Sequence, residues 1–462
     1  MKKLVKSALT IALSATFLQG CQSTQAPHTQ SSDNTPKNII MIVADGMGPV
    51  YPSAYRYYND NPDTDIVEST VFDRHLVGSA ITYPASVSGY ITDSAAGATA
   101  LATATKSYNK AIGVDVHKQP VDSVLQFAKD KGMKTGVVVT SQVNHATPAS
   151  YITHNESRLN YNDIADSYID NGINVDVLLG GGTKYFVRED RNLVEEFKQA
   201  GFSYVDSYES LNATDKTQPL LGLFAPVGLP WALDDSKQNR LSLMTKTALA
   251  HLENKNGYFM LIEASQVDWA GHGNDVASAM AEMSDLASTL KMLETYVKSN
   301  PDTLVVLTAD HSTGGMSIAA NGEYKWDPSS IRKFERSVDS IGKAFLKKNL
   351  SLEELSSALH TQVTDEEYQA VIDAKSKALT RVNAYTLLSK EEKKSKRKPN
   401  ASYIINPAIN AIVDRTTNTG WTSGGHTGID VPVYSFGKGF EKFRGVQDNT
   451  EIADKIFKML GK

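Results

Sequence analysis

The sequence predicts an α/β protein built as three layers, α/β/α, around a mostly parallel central sheet, with a helical crown or cap inserted late in the chain. Three observations carry that expectation. Short apolar runs recur along the chain, as strands buried on both faces do, and the stretches between them have helical period. Runs and helical stretches alternate, which puts helices on both faces of one sheet. Between about residues 324 and 405 the alternation stops: the chain turns charged and helix-patterned, and the strand pattern resumes beyond it.

The first 36 residues stand apart from the fold. Lys2, Lys3 and Lys6 precede "ALTIALSATFL", an apolar run too short to span a bilayer, so residues 1–20 read as a signal peptide. The run ends in "LQGC", similar to the lipobox of bacterial lipoproteins, and Cys21 is the only cysteine of the chain. A lipid on Cys21 would tether an exported protein to a membrane face, with the Ser/Thr/Gln-rich residues 21–36 as a flexible leash. The protein would then be periplasmic or anchored at the outer membrane, the side to which Gln22 points in a double-membraned cell. An ordinary signal peptide would instead give a secreted product. A lone cysteine excludes intrachain disulfides and thiolate metal clusters, so any metal must be held by histidines and carboxylates. No later run is apolar enough for a transmembrane helix.

Beyond the leash, strands are expected in "NIIMIVADGMGP", "GVVVTS", "VDVLLGGG", "GYFMLIEA", "TLVVLTADH" and "VPVYSFG", and a long helix in "ASAMAEMSDLASTLKMLETYVK". Residues 37–462 thus read as one catalytic domain carrying the insertion. The lysine cluster "KEEKKSKRKPN" near the end of that insertion reads as a solvated helix end. With a net charge of −5, it argues against nucleic-acid recognition.

Polar residues gather just past the strand ends. Asp45 follows "IIMIVA", Glu263 follows "YFMLI", with Asp268 and His272 soon after, and Asp310 and His311 follow "LVVLTA". His426 sits in the glycine-rich "SGGHTG". In open α/β sheets ligands bind at the carboxyl ends of strands, where distant segments converge. Each residue alone has an ordinary explanation, such as a helix cap or a packing contact. His28, His75, His117, His251 and His360 are left in that class. Taken together, the acidic and imidazole groups suit zinc and are too many for one tetrahedral ion, so two or three metals are expected. Two ions roughly 4 Å apart can activate a nucleophile and stabilise a leaving oxygen. Ser94, in "ITDSAAGATA", sits at a helix start that favours an incoming anion, and direct coordination to a metal would ionise its hydroxyl. An arginine fork would complete such a site. The neighbouring Ala95, Ala96 and Gly97 are expected to serve close helix–sheet packing.

In order along the chain, "VADGMG", "TDSAAGATA", "HATPASYITHNESR", "EASQVDWAGHG", "TADHSTGG" and "SGGHTG" resemble the alkaline phosphatases, from about residue 38 to 315 and again from about 420 to the end. The resemblance implies a phosphate monoester hydrolase with Ser94 as the nucleophile, phosphorylated during turnover. Asp268, His272 and His426 would hold a first Zn2+. Asp310, His311 and Asp45 would hold a second, which also binds and ionises Ser94. Asp45, Thr147 and Glu263 would hold a Mg2+, and Arg158 would bind the substrate phosphate. His145 and Trp269 depart from one well-studied bacterial branch, which has Asp and Lys there; animal members share His145. These departures bear on magnesium binding and on the grip on phosphate, and a weaker grip would speed product release. The resemblance further implies a homodimer, with the insertion placed to embrace the partner subunit or to cap its own. Phosphodiesterases and other hydrolases of the superfamily share the framework, but Arg158 favours a monoester. An inert phosphate-binding surface lipoprotein would lack a ligand or the nucleophile, and none is missing.

Overall fold

The computed structural model describes residues 34–462, the Lys394 side chain excepted. The signal peptide, Cys21 and nearly all of the leash therefore lie outside the described residues. In chain order the strands are β1 (Asn38–Val43), β2 (Leu76–Ile81), β3 (Lys134–Gln142), β4 (Val177–Gly181), β5 (Ser203–Val205), β6 (Leu220–Leu223), β7 (Tyr258–Glu263) and β8 (Thr303–Thr308). The short β9 (Ser312–Thr313), β10 (Met316–Ile318), β11 (Thr419–Trp421) and β12 (His426–Thr427) follow, then β13 (Val431–Gly437) and β14 (Gly445–Asp448).

Ten of these form one sheet in the order β14-β2-β13-β8-β1-β7-β3-β4-β6-β5. The central strands β1, β7 and β8 are buried almost throughout, which is why they read as continuous apolar runs in place of an alternation. Every pairing in the sheet is parallel except those of β13, which runs against both β8 and β2. The reversal has a simple cause. The chain enters β13 from the loop carrying His426, which already lies at the carboxyl ends of the parallel strands.

Helices cover the sheet in two packed groups, making the chain an α/β protein of the expected class. Ser94–Thr103, Val124–Asp130, Ala146–Ile152 and Asn449–Met459 pack together, and Val50–Tyr58, Arg240–Leu252, Gln266–Gly273 and Val276–Ser299 form the second group. The charged segment is helical, as its pattern predicts. Three of its helices start at capping boxes, Ser351 with Glu354, Thr364 with Glu367 and Ser389 with Glu392. Its helices continue past Ile405, through Ser402–Thr417, and the antiparallel ribbon of β10 and β11 closes its base. Among the described residues no helix is long and apolar enough to cross a membrane.

Candidate active site

Each strand end delivers its polar residue to one place. Past β1 the chain turns at Gly46, whose φ of +74° and whose contact with Asp268 leave no space for a side chain (a Cβ would lie 2.7 Å from the Asp268 Cα). That turn presents Asp45. β7 ends on Glu263, and the helix Gln266–Gly273 follows with Asp268 and His272 one turn apart on the same face. β8 leads into Asp310 and His311. The β9–β12 ribbon pairs His426 with Thr313 and so carries a residue from far along the chain to the same spot. β3 leads to His145, the residue before the helix Ala146–Ile152 that holds Thr147.

Ser94 opens the helix Ser94–Thr103, and Asp93 caps it by accepting a hydrogen bond from the Ala96 N–H at 3.0 Å. A Cβ on Gly97 would lie 2.9 Å from the Asp310 carbonyl oxygen. The run of small residues thus lets this helix start press against the end of β8, as expected. Ser94 is 2 % exposed, and its Oγ lies 3.0 Å from His311 Nε2. The same Nε2 is 3.3 Å from carboxylate oxygens of both Asp45 and Asp310.

The hydrogen bonds fix the tautomers of the three imidazoles. His272 Nδ1 lies 2.7 Å from the Gly424 carbonyl and His426 Nδ1 2.8 Å from the Thr92 carbonyl, so each Nδ1 carries the proton. Thr313 Oγ1 donates to Asp268 Oδ1 at 2.5 Å and therefore accepts from His311 Nδ1 at 3.1 Å. All three Nε2 lone pairs then point inward. His272 and His426 bring theirs within 3.2 Å of each other, and the Asp268 carboxylate is 3.4 Å from His272 and 3.7 Å from His426. Facing lone pairs beside a carboxylate repel one another, and a cation between them would relieve that repulsion.

The acidic members say the same. Among the described residues no hydrogen bond reaches either oxygen of Asp45, Oδ2 of Asp310, Oε1 of Glu263, Oγ1 of Thr147 or Nδ1 of His145, all buried. Burial, and then the charges of Asp310, Asp268 and Glu263, push the Asp45 carboxyl well above its ordinary range. Asp310 is raised by burial and by Asp268, and burial pushes Glu263 up to about 7 against hydrogen bonds from its neighbours. Burial lowers His311 and His145. Such a cluster is costly alone and favourable around metal ions. Three sets have ligand atoms within 4.8 Å of one another: Asp268, His272 and His426; Asp45, Asp268 and His311; and Asp45, His145 and Glu263. Asp310 joins the second through its contact with His311 Nε2, and the donor set as a whole fits zinc and magnesium.

Arg158 stands beside Asp93, the residue before Ser94. Its guanidinium donates to Asp93 Oδ2 at 3.1 Å and approaches His145 Nε2 at 3.1 Å, and the His145 ring meets Trp269 edge-on with centroids 6.0 Å apart. All twelve residues singled out in the sequence therefore lie in or beside one constellation. Sequence reading passed over their supports: Asp93, which holds Arg158; Ser141 and Ser265, which donate to Glu263 at 3.2 and 2.6 Å; and Thr313. Asp93, Ser265 and Thr313 lay within quoted motifs, but the Arg158 partner of Asp93 and the Asp268 partner of Thr313 are distant in sequence. Of the histidines set aside, His251 is buried between Thr214 and the Gln218 carbonyl, and His75 pairs with Glu294.

Such an arrangement belongs to hydrolases that draw an anionic ester onto metal ions, and comparison with known proteins makes this specific. A family model for alkaline phosphatase matches residues 36–462. Alkaline phosphatase 3 of Bacillus subtilis is 43% identical, over 100% of this chain and 98% of its own length. A cold-active alkaline phosphatase from a psychrophilic Shewanella species superimposes with a TM-score of 0.83 at 45% identity, covering 92% of this chain and 100% of that one. A variant of the alkaline phosphatase from the Antarctic bacterium TAB5, solved with Mg bound in its M3 site, has a TM-score of 0.65 at 25% identity, over 92% of this chain and 98% of that one. The chain belongs to the alkaline phosphatase family, and it is a phosphatase acting on phosphate monoesters.

Proposed function

We propose that the chain cleaves phosphate monoesters in two steps through a phosphoserine at Ser94, with two Zn2+ and one Mg2+ as resident ions. Asp268, His272 and His426 would hold the first zinc; Asp45, Asp310, His311 and Ser94 Oγ the second; Asp45, Thr147 and Glu263 the magnesium. When bound, the ions supply Lewis acidity, which makes a hydroxyl or water nucleophilic near neutral pH and stabilises a leaving oxygen. The observation that carries this reading is the convergence of unpaired Asp45 and Asp310 oxygens on the His311 Nε2 lone pair, which itself lies 3.0 Å from Ser94 Oγ. The Mg in the TAB5 variant supports the third ion.

In the first step the Ser94 hydroxyl proton passes to solvent as its Oγ bonds to phosphorus, the phosphorus–ester oxygen bond breaks, and the departing oxygen takes a proton from solvent to leave as the alcohol. In the second, water bonds to phosphorus as Ser94 Oγ leaves, giving inorganic phosphate and restoring the serine. Arg158 grips two phosphoryl oxygens as a fork, held in plane by Asp93 and His145. The helix amino end beneath Ser94 adds favourable partial charge. His145 and Trp269 line the phosphate position with less charge than an Asp and Lys pair, which favours release of product.

Hydrolysis of para-nitrophenyl phosphate, before and after chelation and with zinc and magnesium added back, tests the reading. The bis-ester and the sulfate serve as parallel substrates, and intact mass at low pH serves as a trap for phosphorylated Ser94. Fast monoester cleavage that needs both metals is expected. Preference for the bis-ester would move the chain to the phosphodiesterases, and activity indifferent to chelation would undo the metal assignment. We also propose export with a lipid tether at Cys21, and a homodimer that the segment 324–405 helps to form. Mass measurement in solution showing one chain would end the dimer proposal.

A further inference from the structure

Arg240 is the largest fully buried side chain among the described residues, 1 % exposed, and it lies outside the site just described. It opens the helix Arg240–Leu252 and is surrounded by three carboxylates. One terminal nitrogen donates to Asp285 at 2.8 Å, the other to both oxygens of Glu282 at 2.9 and 3.0 Å, and Nε faces Asp235 at 3.5 Å. Stability alone is a weak account of so many buried charges, because apolar residues of similar volume often do as well or better. What such a network provides is fixed geometry.

That geometry leads to the active site. The Arg240 nitrogen that binds Glu282 also donates to Gln266 Oε1 at 2.8 Å, and Gln266 Nε2 donates to the Leu229 carbonyl at 2.6 Å. Gln266 is the first residue of the helix carrying Asp268, Trp269 and His272. Glu282 in turn accepts from the Ala232 N–H at 2.8 Å. Arg240 therefore holds the loop 228–232 at two points, through Gln266 and through Glu282. The loop meets Trp269 at Gly228, where a Cβ would lie 2.4 Å from the indole Cη2. Its backbone thus forms one wall of the indole, and the His145 ring lies edge-on to it.

We propose that Arg240 and Gln266 are positioning residues for substrate binding: they clamp the loop 228–232 against Trp269 and so set the indole at the phosphate position. The proposal rests on the reading of Trp269 as a phosphate-lining residue. It assigns the network to binding of substrate and phosphate, leaving the transfer steps to the groups around Ser94.

The test uses the full chain with three substitutions: Gln266→Met, which cuts both links at similar volume; Gln266→Glu, which keeps the acceptor for Arg240 but replaces the donor to Leu229; and Trp269→Phe. Fluorotryptophan labelling gives one 19F resonance for each of the four tryptophans, and Trp269→Phe identifies the relevant one. Spectra are taken metal-free and metal-loaded, so that position is read apart from activity. With Gln266→Met, the Trp269 resonance is expected to shift and broaden in both states. KM for para-nitrophenyl phosphate and Ki for inorganic phosphate should rise about tenfold while kcat changes less than about twofold. Gln266→Glu should give the same pattern, and it remains informative if the Met variant does not fold. Combined with Trp269→Phe, the substitution at 266 should add nothing further to KM. An unmoved Trp269 resonance, or a loss confined to kcat, would overturn the proposal. If the resonance moves but Trp269→Phe leaves KM and Ki unchanged, the positioning stands and the reading of Trp269 as a phosphate contact falls.

Discussion

Two buried acidic clusters lie within this chain, and they are built on opposite plans. Around Arg240, the carboxylates of Asp235, Glu282 and Asp285 enclose a guanidinium, and backbone or side-chain donors take up remaining oxygens. Around Ser94, those of Asp45, Asp268, Asp310 and Glu263 enclose no protein cation; Arg158 stands at one side, tied to Asp93. Burial raises the carboxyls in both, Asp285 to about 6 and Glu263 to about 7. Acidity and burial therefore do not distinguish a binding site from a structural brace. Unpaired acceptors do: Asp45 and Asp310 keep oxygens that no hydrogen bond reaches and that face the His311 Nε2 lone pair, and the His272 and His426 lone pairs meet beside Asp268, whereas the unpaired atom around Arg240 is a donor, its own Nε.

The sharpest way to break this contrast is to neutralise one carboxylate in the open cluster. Asp310→Asn should lower kcat/KM by about 10^3-fold or more, together with bound zinc. The same substitution should leave the melting temperature of the metal-free protein at pH 8 no lower, since it removes a buried carboxylate that lacks a cation. A lower metal-free melting temperature with near-normal activity would instead make Asp310 a paired brace.

The closed cluster should respond the other way. Arg240→Met strands three buried carboxylates and should cost about 3–5 kcal/mol of stability in denaturant titration of the metal-free protein. A loss under about 1 kcal/mol would mean that water or rearrangement replaces the guanidinium, and the distinction between the clusters would weaken.

These two regions also differ in how far the sequence reveals them. The open cluster is legible because its members lie within a few residues of strand ends, and strands buried on both faces read as unbroken apolar runs. Asp45, Glu263 and Asp310 needed only that pattern to be placed together. The closed cluster has no such mark. Arg240, Gln266, Glu282 and Asp285 sit at ordinary polar positions of three helices, and only the packing of those helices shows them to be buried. Strands at or next to the sheet edges escaped for a related reason: β2, β5 and β14 are short or half-exposed, and the buried β6 is only four residues long, so their hydrophobic signal is thin. The antiparallel direction of β13 is likewise a property of where the chain enters the sheet and not of its seven residues.

A smaller effect sharpens the contrast at the rim, where Trp269 contributes no charge. On the proposed function, Trp269→Lys would add a cation beside the bound phosphate, and one charge-assisted hydrogen bond is worth ~1.5–3 kcal/mol. Phosphate inhibition should tighten about tenfold, and turnover should fall if release limits it. Unchanged Ki and kcat would show that residue 269 does not reach the phosphate.

Asp414 tests the smallest case, a half-buried carboxylate with neither a cation nor a full set of donors. It accepts one hydrogen bond, from Trp421 Nε1 at 3.1 Å, and burial pushes it up to about 7, helped by the charge of Asp275. Its unfolded value is about 3.9, so the protonated form is favoured by folding. The associated stability is fully present below about pH 4 and is lost as the pH rises through about 7. Asp414→Asn keeps an acceptor for Trp421 but removes this titration. At saturating zinc and magnesium, its melting temperature should therefore fall less between pH 5 and 8 than that of the unsubstituted protein. Equal slopes would mean that water reaches the ionised carboxylate. The outcome matters to the site, because Trp421 rests on Gly314, where a Cβ would lie 2.7 Å from the indole Cε3. The Gly314 N–H donates to the Gly425 carbonyl, next to His426, at 2.9 Å. A charge forming beside the Trp421 Nε1 as the pH rises through about 7 would loosen the loop that brings His426 to the carboxylate–imidazole cluster.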